Sequence, residues 1–524
     1  MKGYRTSDHI FLLQTIVEKV VKKSPNQKLF AAFIDFKKAY DTVNRETLLN
    51  RIQNLGINGL LYKNIAAMYR KTEYLVKIGN GHLEAINSNI GLKQGCPLSP
   101  MLFNIYIDNI GEIFDNQCEP IIIKDQKINH FLYADDLVLI SHSKEGLQRC
   151  LDKLQSFAEV KHLTVSIDKS KTMIFNKTGK FIKHTFTIEG KILEPVHSFC
   201  YLGFDINASG TTHSTINSLF DKAKKAMRPI LNAISRFNMP AKVSLKLFHT
   251  CIAPIMLYNV ENWAVLSNKK LKNCTINTFL EMDDAKANNL HRKFLKFILG
   301  VSKSCPTLTL MGETGELPLM LKGFRLMIKY WFRVSNLPNT TLAKKALLEN
   351  VSLHTNWVAT IEKLMSCFNL TNSIETSNIL DRVTVKSIKS SYIKYWGTKV
   401  ISNTGRLEFY KKIKKDFGFE DYLTLPTFKE RKTINKLRCS NHGLEIEKGR
   451  HQKTPREDRK CKLCSSGNIE TEEHFIFHCN LYDNLKTNYE FRYTINNIFN
   501  TENLDTVGKY LVDAFHERTL KLKC

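Results

Sequence analysis

Two adjacent carboxylates, Asp135 and Asp136, stand between two short apolar runs, Phe131-Leu132-Tyr133 and Leu137-Val138-Leu139-Ile140. A β-hairpin is the local structure this pattern dictates, with both strands buried and the acidic pair at the turn. Such a pair repels itself at close range unless a cation neutralises it or one proton stays on. Hard divalent ions such as Mg²⁺ take carboxylate oxygens and share them with substrate phosphates. A solvated acidic turn fits the same ten residues, so the segments around them decide.

Upstream, Lys28-Leu29-Phe30-Ala31-Ala32-Phe33-Ile34 reads as an apolar strand that stops at Asp35 and turns into a helical segment, Phe36 to Asp41. If that strand lies beside the hairpin in one sheet, Asp35, Asp135 and Asp136 converge from separate strands. They can then bridge two ions roughly 3.5–4 Å apart, as in-line phosphoryl transfer requires. Between these segments stands Gly91-Leu92-Lys93-Gln94-Gly95-Cys96-Pro97-Leu98-Ser99-Pro100, followed by the helix-like run Met101 to Ile107. Its glycines and prolines shape a loop whose backbone approaches a ligand closely.

Three segments in this order resemble reverse transcriptases, above all the LINE-type (non-LTR) retrotransposon branch: Phe33-Ile34-Asp35 with Lys38-Ala39-Tyr40-Asp41, Gln94-Gly95 with Pro97-Leu98-Ser99-Pro100, and Tyr133-Ala134-Asp135-Asp136. Gly3-Tyr4-Arg5-Thr6-Ser7-Asp8-His9 is similar to the late fingers segment of that branch. Leu163 to Lys171 is similar to the segment after the hairpin, with Ser166 where Asn is usual, and Phe199-Cys200-Tyr201-Leu202-Gly203 to the primer-grip turn. Phe294 to Val301 and Lys329 to Arg333 resemble the helical region beyond the thumb.

The resemblance implies an α/β (α+β) polymerase right hand, with a palm sheet and covering helices, then a mostly helical thumb and C-terminal region with a small zinc segment. Residues 1–205 would hold partial fingers and palm, 206–435 the thumb and connector, 436–490 a basic segment with a zinc knuckle, and 491–524 a tail. The implied activity is RNA-directed DNA synthesis: nucleotidyl transfer to a primer 3′-hydroxyl with an RNA template, a DNA primer or target, deoxynucleoside triphosphates and two Mg²⁺ ions. Asp35, Asp135 and Asp136 would hold the metals. Tyr40 matches the position that packs under the incoming sugar, and Gln94 and Gly95 match residues lining the nucleotide and template pocket. Lys169 is similar to a lysine that protonates the leaving pyrophosphate, with Lys171 nearly as well placed, and Arg5 is a candidate phosphate contact.

Composition agrees. The 524 residues suffice for several cores, and 77 Lys+Arg against 50 Asp+Glu give a formal charge of +27 that attracts polyphosphate. No segment approaches the roughly 20 apolar residues of a membrane span. The start has no apolar signal-peptide core, and thirteen cysteines then read as reduced thiols or metal ligands of an intracellular protein. The resemblance implies action in the nucleus. Periodicity predicts two helices between Glu46 and Arg70 split at Gly56-Ile57-Asn58-Gly59, a helix over Gly146 to Ala158, and mostly helix from Ser214, punctuated by Pro240 and Pro254.

Cys461-Lys462-Leu463-Cys464 is followed after nine residues by His474 and after four more by Cys479. Three thiolates and an imidazole suit tetrahedral Zn²⁺, which would fold a segment too small for its own core. His478 is an alternative to His474; the resemblance favours His474. The basic run Lys448 to Lys453 with Arg456, Arg459 and Lys460 reads equally as a phosphate contact or a solvated loop. By analogy the chain opens inside the fingers and carries no endonuclease. A second expectation therefore stands beside the polymerase: a non-catalytic nucleic-acid-binding remnant of such an element.

Overall fold

Leu29–Ile34 (β1) forms the middle of the chain's main sheet, because a six-residue apolar run with no polar side must be covered on both faces. In the computed structural model the described residues are 5–22, 24, 26–70, 72–75, 77–78, 81–82, 84, 86–370 and 377–523. Gly3 and Tyr4 of the fingers-like motif lie outside them. The chain divides into two units, Met1–Thr215 with Val334–Val358, and Ile216–Arg333 with Ala359–Cys524.

In the first unit, His130–Tyr133 (β2) and Asp136–Ser141 (β3) form the expected hairpin, and Lys171–Phe175 (β4), Phe186–Ile188 (β5) and Lys191–Pro195 (β6) complete a six-stranded sheet of order β5-β6-β4-β1-β3-β2. Both neighbours of β1 are antiparallel to it. The register pairs Ile34 with Leu137 and Ala32 with Leu139, and these four side chains share one face. Against them pack Leu48 and Ile52 of helix α2 (Arg45–Asn54), Leu102, Phe103 and Tyr106 of α3 (Ser99–Ile107), and Leu147, Leu151 and Leu154 of α4 (Lys144–Val160). The Asn44 side chain caps α2 by accepting from Thr47 N–H at 2.9 Å, and Ser143 caps α4 by accepting from Gly146 N–H at 2.9 Å. The predicted pair of helices between Glu46 and Arg70 is α2 followed by Gly59–Arg70, and the helix predicted over Gly146 to Ala158 is α4.

On the opposite face of β1, Phe33 stacks on Phe199 with ring centroids 4.5 Å apart and lies 5.7 Å from Tyr201. Those rings belong to a separate hairpin, Ser198–Tyr201 (β7) with Phe204–Asn207 (β8), turned by Leu202 at φ 48° and Gly203 at φ 77°. One expectation fails locally. Asp35 is not followed by helix: Phe36 bridges Val165 and Lys37 N–H donates to Thr164 O at 2.8 Å. The backbone is thus still engaged sideways, and Lys38, at φ 47°, closes a tight turn before α2 begins at Arg45. The first helix, Thr6–Val17, is braced by Leu342–Ser352, where Asn350 Nδ2 donates to Thr15 Oγ1 at 2.6 Å. That helix lies far along the chain, within the stretch read from sequence as connector.

The second unit is helical, and among its described residues the extended pairings are isolated bridges. Pro240 precedes helix Ala241–Leu247, where a missing N–H costs nothing, while Pro254 lies inside the continuous helical run 241–256, just after the π-turn Phe248–Ile252 interrupts the regular ladder. Its core holds an ion pair: Arg438 Nε and Nη2 donate to Glu313 at 2.7 and 3.0 Å, and both residues are essentially unexposed. No described helix is long and apolar enough to cross a membrane.

Candidate active site and metal centre

The sheet register assembles the acidic cluster. Because Ile34 faces Leu137, the next pair along β1 and β3 is Asp35 and Asp136, both on the face that carries Phe33. Tyr133 pairs with Asp136 across a two-residue turn in which Ala134 adopts φ 55°, so Asp135 sits at the tip. Burial raises the Asp136 carboxyl above its ordinary range, and the charges of Asp135 and Asp35 raise it further. Asp35 Oδ2 is inaccessible and accepts no well-formed hydrogen bond. Lys169 Nζ approaches it to 3.4 Å, while Ser170 Oγ accepts from the Asp35 N–H at 3.1 Å. Crowded carboxylates of this kind, one with an unsatisfied buried oxygen, fit a hard dication in donor chemistry.

Geometry also separates the two lysines. Lys169 is largely exposed and faces Asp35, whereas Lys171 Nζ is held by Glu194 Oε2 at 2.6 Å.

Tyr40 lies half-buried with its ring stacked on Phe103, centroids 4.6 Å apart. Burial, and then the charge of Asp135, push its hydroxyl pKa upward, which puts the ring within electrostatic reach of the acidic tip. Gln94 is exposed and its Nε2 donates to Asp41 Oδ1 at 3.0 Å. Gly95, at φ 81°, is also exposed. A cleft of about 730 Å³ is lined by Asp41, Gly91, Lys93 and Gln94 among others; Asp35, Asp135 and Asp136 are not in its wall. Arg5 is exposed, and its N–H donates to Asp8 Oδ2 at 3.1 Å at the start of the first helix.

Sequence reasoning missed the residue that holds this loop. The guanidinium of Arg45, only 7% exposed, donates to the carbonyls of Gly91 (2.9 Å), Tyr69 (3.1 Å), Ser88 (2.6 Å) and Ile90 (3.0 Å). Gly91 N–H and Leu92 N–H donate in turn to Val43 O and Tyr40 O, each at 2.8 Å. Gly91 must be glycine: it sits at φ 79°, and a Cβ there would lie 2.6 Å from Asp41 O.

In the second unit, Cys461, Cys464, His474 and Cys479 offer ligand atoms that all lie within 4.8 Å of one another. Tetrahedral Zn²⁺ with bonds of roughly 2.0–2.3 Å needs ligand atoms roughly 3.4–3.8 Å apart, so the set fits the ion. Cys464 Sγ is 3.4 Å from His474 Nε2. His474 is buried and His478 exposed, so the structure brings the first, not the second, to the thiols. Burial, reinforced by the Cys461 and Cys464 sulfurs, pushes the Cys479 thiol up to about 12, which a bound dication would reverse. The knuckle leans on helix Leu504–Lys521 through Phe475 against Phe515 (4.5 Å) and through Arg518 Nη2 to Glu470 Oε2 (2.6 Å).

The basic run before the knuckle is partly spent internally. Arg450 pairs with Glu447, Arg456 with Glu408, and Arg459 donates to the carbonyls of Thr454 and Ile446.

A family model described as reverse transcriptase (RNA-dependent DNA polymerase) matches residues 3–206. The Pol polyprotein of the R2 retrotransposable element of Popillia japonica is 26% identical over 194 residues, covering 36% of this chain and 32% of that protein. The RNA-directed DNA polymerase of the jockey mobile element of Drosophila funebris is 23% identical over 250 residues, 46% of this chain and 26% of that protein. The chain thus spans about a third or less of the length of these relatives. A telomerase structure from Candida albicans, with a telomeric RNA fragment, aligns at 14% identity over 57% of this chain and 51% of that one; its TM-score of 0.27 carries no weight. With its acidic hairpin beside Asp35 inside the matched region, this part of the chain is similar to the reverse transcriptases of retrotransposable elements such as R2 and jockey.

Proposed function

We propose that this chain is an RNA-directed DNA polymerase that extends a DNA primer on an RNA template from deoxynucleoside triphosphates. The observation that carries the reading is the convergence of Asp35 with Asp135 and Asp136, where burial first and mutual charge second raise the Asp136 carboxyl. Asp35 and Asp135 would hold two Mg²⁺ ions, with Asp136 as a further ligand. Bound there, the ions would lower the pKa of the primer 3′-hydroxyl and neutralise charge on the triphosphate. Lys169, whose Nζ lies 3.4 Å from Asp35 Oδ2, would give a proton to the leaving pyrophosphate. Tyr40, rigid on Phe103, is the floor against which a 2′-hydroxyl would collide. Gln94 and Gly95, both exposed, would line the nucleotide and template pocket, and Arg5 would be a further phosphate contact.

The formal charge of +27 supports a polyanionic partner whose affinity falls with salt. Cys461, Cys464, His474 and Cys479 would bind Zn²⁺ and fix the knuckle. Chromosomal DNA as target places the action in the nucleus.

Primer extension on an RNA template with Mg²⁺, beside an Asp135→Ala, Asp136→Ala double variant, tests the proposal. Extension by the parent that disappears in the variant supports it. Failure of the parent to extend, with salt-sensitive RNA binding intact, refutes it in favour of a non-catalytic binder.

A further inference from the structure

A second cluster of metal-ligating side chains lies in the helical unit, and the polymerase reading gives it no role. His249, His291 and Glu316 offer ligand atoms that all lie within 4.8 Å of one another. They come from three separate places. His249 sits in the one-turn π-bulge Phe248–Ile252, and His291 on helix Lys286–Leu299. Glu316 follows Gly315, whose φ of 66° turns the chain at the end of helix Thr307–Thr314. A Cβ on Gly315 would lie 2.8 Å from the backbone nitrogen of Phe419, so the turn that delivers Glu316 depends on glycine.

The three side chains make one good hydrogen bond, between His249 and Glu316, and leave His291 outside it, so the network is incomplete without a further partner. His249 Nε2 lies 2.8 Å from Glu316 Oε2, and His291 Nε2 lies 3.5 Å from the same oxygen. With Zn–N and Zn–O bonds of roughly 2.0–2.2 Å, tetrahedral neighbours sit roughly 3.4 Å apart, so a small contraction and expansion would seat the ion. His291 is wholly buried, and neither of its ring nitrogens makes a well-formed hydrogen bond. An imidazole in that state costs free energy unless something accepts its lone pair or its proton. Phe248 stacks on the His291 ring at 4.7 Å and fixes its orientation, while Phe294 closes on Phe248 at 4.8 Å.

The fourth direction is open. A cavity of about 300 Å³ is lined by His249 and Glu316 together with Lys322, Arg325 and Lys389. The Arg325 charge is met by Asp381 at 2.7 Å, so it does not bear unopposed on the cluster.

We propose that His249, His291 and Glu316 bind a Zn²⁺ ion, with a water in the fourth position facing this cavity. Two histidines and one glutamate with an open position are a ligand set that zinc adopts where a fourth site is left for solvent or substrate. The site is distinct in chemistry from the thiolate knuckle, and that difference makes it testable while the knuckle is intact.

The experiment loads the full chain with Co²⁺ in place of Zn²⁺ and compares the parent with His249→Ala and Glu316→Gln. The His249 side chain is 33% exposed, so its removal leaves the buried core in place. Thiolate-bound cobalt gives intense sulfur-to-metal charge-transfer bands; a nitrogen and oxygen site gives only weak ligand-field bands. The expected result is that both variants lose one equivalent of bound metal and the weak bands alone, while the charge-transfer bands persist. Equal metal content and identical ligand-field spectra in parent and His249→Ala would overturn the proposal and leave a protonic His–Glu–His network. Should Glu316→Gln fail to fold, His249→Ala decides alone.

Discussion

Replacing Arg45 with methionine keeps most of the straight aliphatic stem and deletes all four of its hydrogen bonds to carbonyls. The carbonyls differ in what they lose. Those of Gly91 and Tyr69 are contacted in buried surroundings, whereas those of Ser88 and Ile90 lie in part-exposed ones and regain water. A buried acceptor left unpaired costs about 1–3 kcal/mol, so the two together give roughly 2–6 kcal/mol. Burial of the guanidinium, which lowers its pKa, is relieved in the variant and offsets part of this. The expected net loss is about 3 kcal/mol, a large share of the roughly 5–15 kcal/mol that holds a domain together.

The loss should be local before it is global, because Arg45 ties the Ser88–Gly91 loop to α2. Amide hydrogen exchange reads it directly. Gly91 N–H and Leu92 N–H are bonded to Val43 O and Tyr40 O, and their exchange should accelerate by about two decades if about 3 kcal/mol of local stability goes. Unchanged exchange at those two amides, with an unchanged melting temperature, would refute the assignment of Arg45 as the loop's anchor.

Asp136→Asn should raise the melting temperature at neutral pH while abolishing primer extension. The folded-state pKa of Asp136 lies above its ordinary value, so its ionisation destabilises the fold as pH rises, and the parent regains that stability as pH falls through the raised pKa. The gain of the variant over the parent should therefore shrink in acid; a gain that grows in acid would sink the argument. Glu313→Gln should cost about 3–5 kcal/mol by leaving Arg438 short of its buried partner, read as a lower temperature of limited proteolysis in the helical unit. His474→Ala should lose zinc from the knuckle in elemental analysis and His478→Ala should keep it; equal loss in both would reject the ligand choice.

The main sheet and its acidic hairpin were legible in the chain because their signals are local. Apolar runs of strand length and a carboxylate pair at a turn survive as spelled residues, and Asp35 meets Asp136 once the two runs share a sheet, which the register of β1 and β3 supplies. The helices α2 and α4 followed from periodicity for the same reason. What stayed hidden is whatever acts through backbone or through distance along the chain. Arg45 binds four carbonyls, which every residue possesses, so nothing at positions 69, 88, 90 or 91 advertises the contact. The segment after Asp35 was read as helical; the sideways bond from Lys37 N–H to Thr164 O, more than a hundred residues on, overrides that reading. Lys169 and Lys171 are indistinguishable by sequence, and only Glu194 on the neighbouring strand separates them. His249, His291 and Glu316 escaped notice because they share no motif.

The same register that builds the core also builds the acidic cluster, and neither can shift without the other. Ala32, Ile34, Leu137 and Leu139 face the helices, so their alternation sends Phe33, Asp35, Asp136 and Val138 to the other face. A slip of one residue in β3 would drive Asp136 among α2, α3 and α4, where a carboxylate finds no partner, and would mispack Leu137 and Leu139 on the face where Val138 and Ile140 are now buried. Hydrophobic burial on one face therefore holds mutually repelling carboxylates together on the other. On that second face the Phe33, Phe199 and Tyr201 rings give them an apolar base that raises the Asp136 carboxyl and leaves Asp35 Oδ2 without a good donor. An acidic cluster assembled by unrelated apolar contacts, and left under-neutralised by its own chain, is disposed to bind a cation without refolding.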